Sequence, residues 1–307
     1  MRKTALDTVY ELANRDPRVV FIGSDLGAGT LDVFRKEIPE RFFMEGVSEA
    51  NVIGMAAGLA AEGHVVYVNT LAVFLTRRAY EQVALDVCMR NLDVRLIGSG
   101  GGLVYAPLGA THMATDDFAL MRALPNMTVI APADAPEMRR LMLAMHDRPG
   151  PAYIRLGKGN EPPITPDVAD MKIGDVVLVR EGSDALIVTT GVTLHAAVPA
   201  AEALAREGCH TAILHCPVIK PLNVPAIAAA IRGIPLVVAV EEHVPSGGLG
   251  GAIAGLIAKD DSLRGTRFRH ISIPDVFPDH YGSQADLMKY YGITPENIAA
   301  TIQAARK

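Results

Sequence analysis

One acid stands where acids are rare. Glu49 is followed by Ala50-Asn51-Val52-Ile53-Gly54-Met55-Ala56-Ala57-Gly58-Leu59-Ala60, a run with no second ionisable side chain. A positioned carboxyl group offers general acid–base chemistry, most effective in a dry pocket where burial favours a shared proton. The plain alternative is local. Ser48 is an N-cap candidate whose hydroxyl can accept an orphan amide of the first turn, and Glu49 then suits the helix dipole. Against the local reading stands the helix itself: apolar all round and rich in small residues, it is expected to be buried and packed closely against another backbone.

Two further groupings carry reactive side chains. His112, followed by Asp116 and Asp117, has the residue types of a metal site, but the acids read better as the opening turn of the next helix. Glu241-Glu242-His243 precedes Gly247-Gly248-Leu249-Gly250-Gly251 and looks like a catalytic cluster. Two glycine-rich loops follow apparent strands, at residues 23–30 and 98–112. The carboxyl ends of strands are where open α/β sheets bind ligands, and a loop as long as the second is costly unless it lines a site. Neither is a phosphate-cradling Walker loop, because no Gly-Lys-Ser/Thr follows.

The elements that must position these residues alternate. Helical spacing runs over Thr4–Ala13 and short apolar strands over 19–22, 65–68, 94–97, 128–130 and 151–155, with helices between them. Arg77–Met89 reads as one amphipathic helix, and Asp134 as the cap of a helix running to His146. Pro151–Arg155 is expected to close the first sheet. Prolines 162, 163 and 166 mark a linker. Alternation then resumes, with strands near 186–189, 211–214, 236–240 and 269–273. Strand–helix alternation implies parallel sheets. The expected fold is α/β in two domains, residues 1–160 and 176–307, joined by a linker at 161–175. Each domain is a mostly parallel sheet flanked by helices.

Composition sets the outer limits. At 307 residues, half of them hydrophobic, two domains with sizeable cores are expected. A net charge of −5 with interspersed signs leaves no basic footprint for nucleic acid. Cys88, Cys209 and Cys216 have neither zinc nor disulfide spacing and fit buried thiols of a reducing compartment. No apolar run reaches membrane-spanning length and no signal-peptide core opens the chain, so a soluble, cytoplasmic protein is expected.

The string around Glu49 resembles the pyrimidine-binding domain of transketolases. Gly46-Val47-Ser48-Glu49, Gly54, Ala56, Gly58-Leu59-Ala60, Thr70 and Phe74 match in order and spacing. So do Gly109-Ala110-Thr111-His112, Met121-Arg122-Ala123-Leu124-Pro125-Asn126 and Ala131-Pro132-Ala133-Asp134. The similarity covers essentially all of this chain but only the C-terminal half of a full-length transketolase. It implies a transferase moving a two-carbon ketol unit between a ketose, or its phosphate, and an aldose with thiamine diphosphate. Glu49 matches the glutamate that bonds to the cofactor's pyrimidine ring and drives its tautomeric shift. Phe74 matches an aromatic packed on that ring, and Leu71 stands where many relatives have Phe, offering apolar contact without stacking. In the resemblance the Glu241-Glu242-His243 string belongs to a C-terminal domain that mainly builds subunit interfaces.

One family element is missing. Diphosphate and Mg2+ are held in that family by Gly-Asp-Gly and a later Asn, and no Gly-Asp-Gly occurs here. Magnesium usually reaches such a ligand through one or two carboxylates plus phosphate oxygens. The resemblance therefore implies an N-terminal partner subunit carrying the diphosphate-binding domain, in an α2β2 assembly. It also assigns substrate contacts. His112 matches a histidine beside the reacting carbonyl and hydroxyl groups. Arg2 matches a phosphate-binding arginine, and Lys158 aligns with another. Gly100 stands where many relatives have histidine, and Leu108 replaces an acid that reads a substrate hydroxyl. These departures imply a non-standard sugar. The alternatives are a 2-oxoacid dehydrogenase β subunit, a deoxyxylulose-phosphate synthase-like fragment, and a non-catalytic regulatory subunit.

Overall fold

The structure, a computed structural model, describes residues 1–24, 31–168 and 170–306. Most of the first glycine-rich loop, residues 25–30, lies outside them. The strands are β1 (Val19–Gly23), β2 (Phe42–Met44), β3 (Val65–Leu71), β4 (Val94–Ser99), β5 (Thr128–Ile130) and β6 (Ala152–Leu156). They continue with β7 (Val177–Arg180), β8 (Ala185–Thr189), β9 (Thr211–His215), β10 (Val218–Lys220), β11 (Leu236–Val240) and β12 (Arg267–Ile271). Two sheets result, ordered β10-β5-β6-β4-β3-β1-β2 and β12-β11-β8-β9-β7. Every pairing is parallel except β10 with β5 and β7 with β9.

The alternation read from the sequence produces this directly. Strands β1, β4, β6, β8, β9 and β11 are buried at every position, as parallel strands covered by helices on both faces must be. β6 does not close the first sheet, however. It lies between β4 and β5, and the edge is β10, which comes from beyond the linker. Val218 pairs with Ile130 and Lys220 with Val129. The Lys220 ammonium then donates to the carbonyls of Arg122, at 2.9 Å, and Leu124.

Buried polar groups stitch the two sheets together. Glu137 on the Ala135–His146 helix accepts the Ala133 amide at 2.7 Å and meets His215 Nε2, at the end of β9, at 3.1 Å. Asp134 caps its helix through the Glu137 amide at 2.9 Å, and its other oxygen accepts the linker amides of Ile164 and Thr165 at 2.8 and 2.7 Å.

Three local expectations need correction. Ser48 occupies the N-cap position of the Glu49–Ala61 helix, but its hydroxyl makes no cap bond and donates to the Gly46 carbonyl at 3.3 Å. Arg77–Met89 is not one helix. A helix over Ala72–Arg77 ends there, and a turn at Tyr80–Gln82 runs into a wider π-type segment over Val83–Cys88. Finally, the Glu49–Ala61 helix is buried on one face only. Ala50, Asn51, Gly54, Gly58 and Ala61 are exposed, and nothing lies within 4 Å of a Cβ built on Gly54 or Gly58.

Candidate active site

Glu49 is 4% exposed, at the buried mouth of its helix. β3 ends at Leu71, and the helix that follows at once carries Phe74 and aims it at the same place. One oxygen of Glu49 meets Arg78 Nη1 at 3.3 Å. The Arg78 guanidinium carbon lies 3.8 Å from the centre of the Phe74 ring, a cation–π contact. The His112 ring meets Phe74 edge-on, with centroids 5.3 Å apart and planes at 67°. Its Nδ1 is 2.9 Å from the Thr111 hydroxyl. Leu71 and Phe74 pack on the buried trio Ala72, Val73 and Ala114. Glu49, Leu71, Phe74 and His112 thus form one grouping, in which the Arg78 guanidinium pairs with the acid and covers the Phe74 ring.

The other four residues singled out in the sequence meet at a second place. Arg2, Gly100, Leu108 and Lys158 line one cleft of about 290 Å3, with Ser99, Val104, Tyr105, Pro107 and Gly157. Gly100 follows the carboxyl end of β4, and Lys158 lies just past the end of β6. β3, β4 and β6 are neighbours, so both groupings sit at the carboxyl edge of the sheet, where such folds place ligands.

Two participants emerge only in the fold. Arg78 bridges Glu49 and Phe74, and its spacing of four from Phe74 is the signal the sequence offers, since residues at i and i+4 share a helical face. Tyr105 sits inside a glycine-rich loop with nothing in its neighbours to mark it. Gly100 has φ +74°, and a Cβ there would fall 2.0 Å from Tyr105 Cε2. The aromatic ring therefore occupies the room a side chain at position 100 would need.

The acidic groupings elsewhere are structural. Glu241 accepts the amides of Leu249 and Gly250 at 2.7 and 2.8 Å and pairs with His270 at 2.9 Å. Glu242 accepts the Leu103 amide at 2.8 Å and Gln284 at 2.9 Å, and burial pushes its carboxyl above the usual range. His243 stacks on Phe118 with centroids 5.2 Å apart. Leu103 and Phe118 belong to the first half of the chain, so these contacts join the halves of one molecule. Asp116 pairs with Arg77 at 2.8 Å, and Asp117 with Arg155 at 3.0 Å and the Tyr153 hydroxyl at 2.7 Å. No group of three or more His, Cys, Asp or Glu among the described residues could hold a metal ion. Among them, too, no helix is long and apolar enough to cross a membrane.

Residues 1–163 match the transketolase pyrimidine binding domain, and residues 174–298 match the transketolase C-terminal domain. The chain belongs to the transketolase family. Within that family it is 33% identical to an apulose-4-phosphate transketolase subunit of Phocaeicola vulgatus, over 98% of this chain and 95% of that one. It is 36% identical to a 1-deoxy-D-xylulose-5-phosphate synthase of Geobacter sulfurreducens, over 97% of this chain but only 47% of the synthase. A solved structure described as a split gene transketolase, inactive beta4 tetramer, superposes with a TM-score of 0.90 at 32% identity. That match covers 99% of this chain and 97% of the other. The transketolase resemblance read from the sequence is therefore correct, as is the two-sheet α/β fold.

Proposed function

We propose that this chain is the C-terminal subunit of a two-chain, thiamine diphosphate-dependent transketolase that moves a two-carbon ketol unit from a ketose, or its phosphate, to an aldose. The observation that carries the reading is Glu49, a buried acid at the carboxyl edge of the sheet, linked to Phe74 through the Arg78 guanidinium. Phe74 and Leu71 would offer an aminopyrimidine ring aromatic and apolar contact and Glu49 one acid for a ring nitrogen, with the Arg78 guanidinium, which here covers Phe74 and pairs with Glu49, moving aside. Thiamine diphosphate supplies the electron sink for breaking and forming the carbon–carbon bond. Glu49 holds a proton at the pyrimidine nitrogen, while Leu71 and Phe74 keep water from that end of the site. His112 hydrogen-bonds the reacting carbonyl and hydroxyl oxygens, and Arg2 and Lys158 hold the anionic end of the sugar.

The described residues do not fit the metal. No acid cluster suited to Mg2+ occurs among the described residues, and the sequence contains no Gly-Asp-Gly. An N-terminal partner subunit is proposed to hold Mg2+ and diphosphate, in an α2β2 assembly in the cytoplasm. The bare face of the Glu49–Ala61 helix supports a partner, because its glycines leave room for another backbone. Val47 and Leu85, 71% and 46% exposed, add apolar surface on the lead-in to that helix and on the segment packed against it.

Co-expression with a chain that carries Gly-Asp-Gly, followed by native mass spectrometry, tests assembly and cofactor retention together. In the pair, Glu49→Gln should keep fold and stoichiometry and lower turnover on the order of 10²–10⁴-fold. Turnover near that of the parent enzyme would overturn the assignment. Substrate specificity is proposed to differ from xylulose 5-phosphate with ribose 5-phosphate, and efficient turnover of that couple would exclude this. The likeness to 1-deoxy-D-xylulose-5-phosphate synthase supports a second reading, which carbon dioxide release from pyruvate would reveal.

A further inference from the structure

The cleft beneath Arg2 and Lys158 has an unusual balance of groups. Among the described residues it is lined by two cations and no acid. Among the described residues neither Arg2 nor Lys158 has a hydrogen-bond or ion-pair partner, whereas Arg77, Arg139 and Arg140 on the same half all do. Two cations held in a concave site focus a field that favours an anion. A volume of about 290 Å3 is at the small end of ligand pockets and suits a short carbon chain bearing one phosphate-like group.

The rest of the lining decides what that chain carries. It includes Gly100, where a Cβ on the left-handed backbone would collide with the Tyr105 ring. Tyr105 itself is part of the lining. Beside it stand Val104, Pro107 and Leu108, the last 52% exposed at the rim. Among the described residues, a sugar hydroxyl placed against Val104, Pro107 or Leu108 finds no carboxylate or amide side chain to bond with; the polar side chains of the lining other than the two cations are the hydroxyls of Ser99 and Tyr105. An unpaired polar group held away from water costs about 1–3 kcal/mol. A carbon bearing only hydrogen carries no such cost and gains apolar contact.

We propose that Tyr105, seated over Gly100, acts with Leu108 as the specificity wall of this cleft, which selects small anionic aldehydes or ketones whose carbon against that wall lacks a hydroxyl. The proposal rests on the functional reading above and names the substrate class of the same site.

The test uses the full chain reconstituted with its partner, without ketol donor, and two probes: ribose 5-phosphate and 2-deoxyribose 5-phosphate. Isothermal titration should show the deoxy probe binding about 10- to 100-fold more tightly, the range within which an apolar pocket discriminates against an added hydroxyl. Leu108→Asp should erase or reverse the ratio while retaining affinity for the anion. Tyr105→Ala should lower the ratio, and Tyr105→Phe should preserve it. Equal or tighter binding of ribose 5-phosphate overturns the proposal. So does failure of both probes to bind, or a ratio unmoved by Leu108→Asp in a variant with an unchanged unfolding midpoint. Thiamine diphosphate binding is measured on the same preparations. If the pair binds cofactor and the ratio is near one, the specificity wall falls and the functional reading stands. If no cofactor binds, the functional reading falls, and the probe ratio still decides the wall.

Discussion

The close approach of Tyr105 to Gly100 yields a stability prediction that can be worked through. In Gly100→Ala the new methyl group would lie 2.0 Å from Tyr105 Cε2. Carbon–carbon contact requires about 3.5 Å, so the ring must retreat by ~1.5 Å. Half of a tyrosine's ~200 Å2, at about 25 cal/mol per Å2, gives ~2.5 kcal/mol as the upper bound for lost packing. The left-handed backbone adds about 1–2 kcal/mol for a residue with a Cβ. The sum is at most about 3.5–4.5 kcal/mol, measured by urea denaturation followed by circular dichroism. The Tyr105→Ala background removes the collision and leaves the backbone strain, so there the same substitution should cost only about 1–2 kcal/mol. Equal effects in the two backgrounds, or a total below ~0.5 kcal/mol, typical of a neutral surface change, would refute the reasoning.

Three further outcomes follow from titratable groups. Burial raises the Glu242 carboxyl, so its contribution to stability is fully present below the ordinary value of about 4.3 and is lost as pH rises through the raised value. Unfolding midpoints across a pH series should decline in that direction, and Glu242→Gln should flatten the trend. Asp16 behaves oppositely. Hydrogen bonds from Arg18 hold its carboxyl at about 2, so its stabilisation is complete above about 3.9 and is lost as pH falls through about 2; Asp16→Asn should remove that acid sensitivity. Burial pushes the Cys88 and Cys216 thiols up to about 11 and about 12, and Cys209 is buried too. Iodoacetamide should leave all three unmodified in the folded protein and label all three in denaturant, as mass spectrometry would show.

The legible part of the molecule is the part written in long apolar runs and local capping chemistry. The Glu49–Ala61 helix starts at the expected residue. Asp134 caps through the Glu137 amide as its sequence context suggests. Two of the three three-residue strands are not legible, although Thr128–Ile130 is. β2 and β10 are too short to show a period, and β10 is a strand only because the distant β5 offers it an edge. The break at Arg77–Tyr80 hides inside a continuous amphipathic pattern, which carries no mark of a change from α- to π-type bonding. The site follows the same division. Glu49 stands out because an acid before an apolar run is conspicuous, whereas Arg78 and Tyr105 act through contacts that only the fold creates. The exposed face of the Glu49–Ala61 helix escapes a reading of composition, which records how smooth a surface is, and not whether its cover belongs to the same chain.

The strand exchanged at β10 limits how this polypeptide can be divided. A truncated chain ending at the proline-rich connector would keep the pyrimidine-type half intact on paper yet strip the protecting neighbour from Thr128–Ile130. Naked strand margins recruit other polypeptides, so such a truncation should precipitate or form mixed aggregates. Swapping C-terminal modules between relatives faces the same obstacle. The graft must carry a matching Val218–Lys220 segment, or the recipient half loses its border.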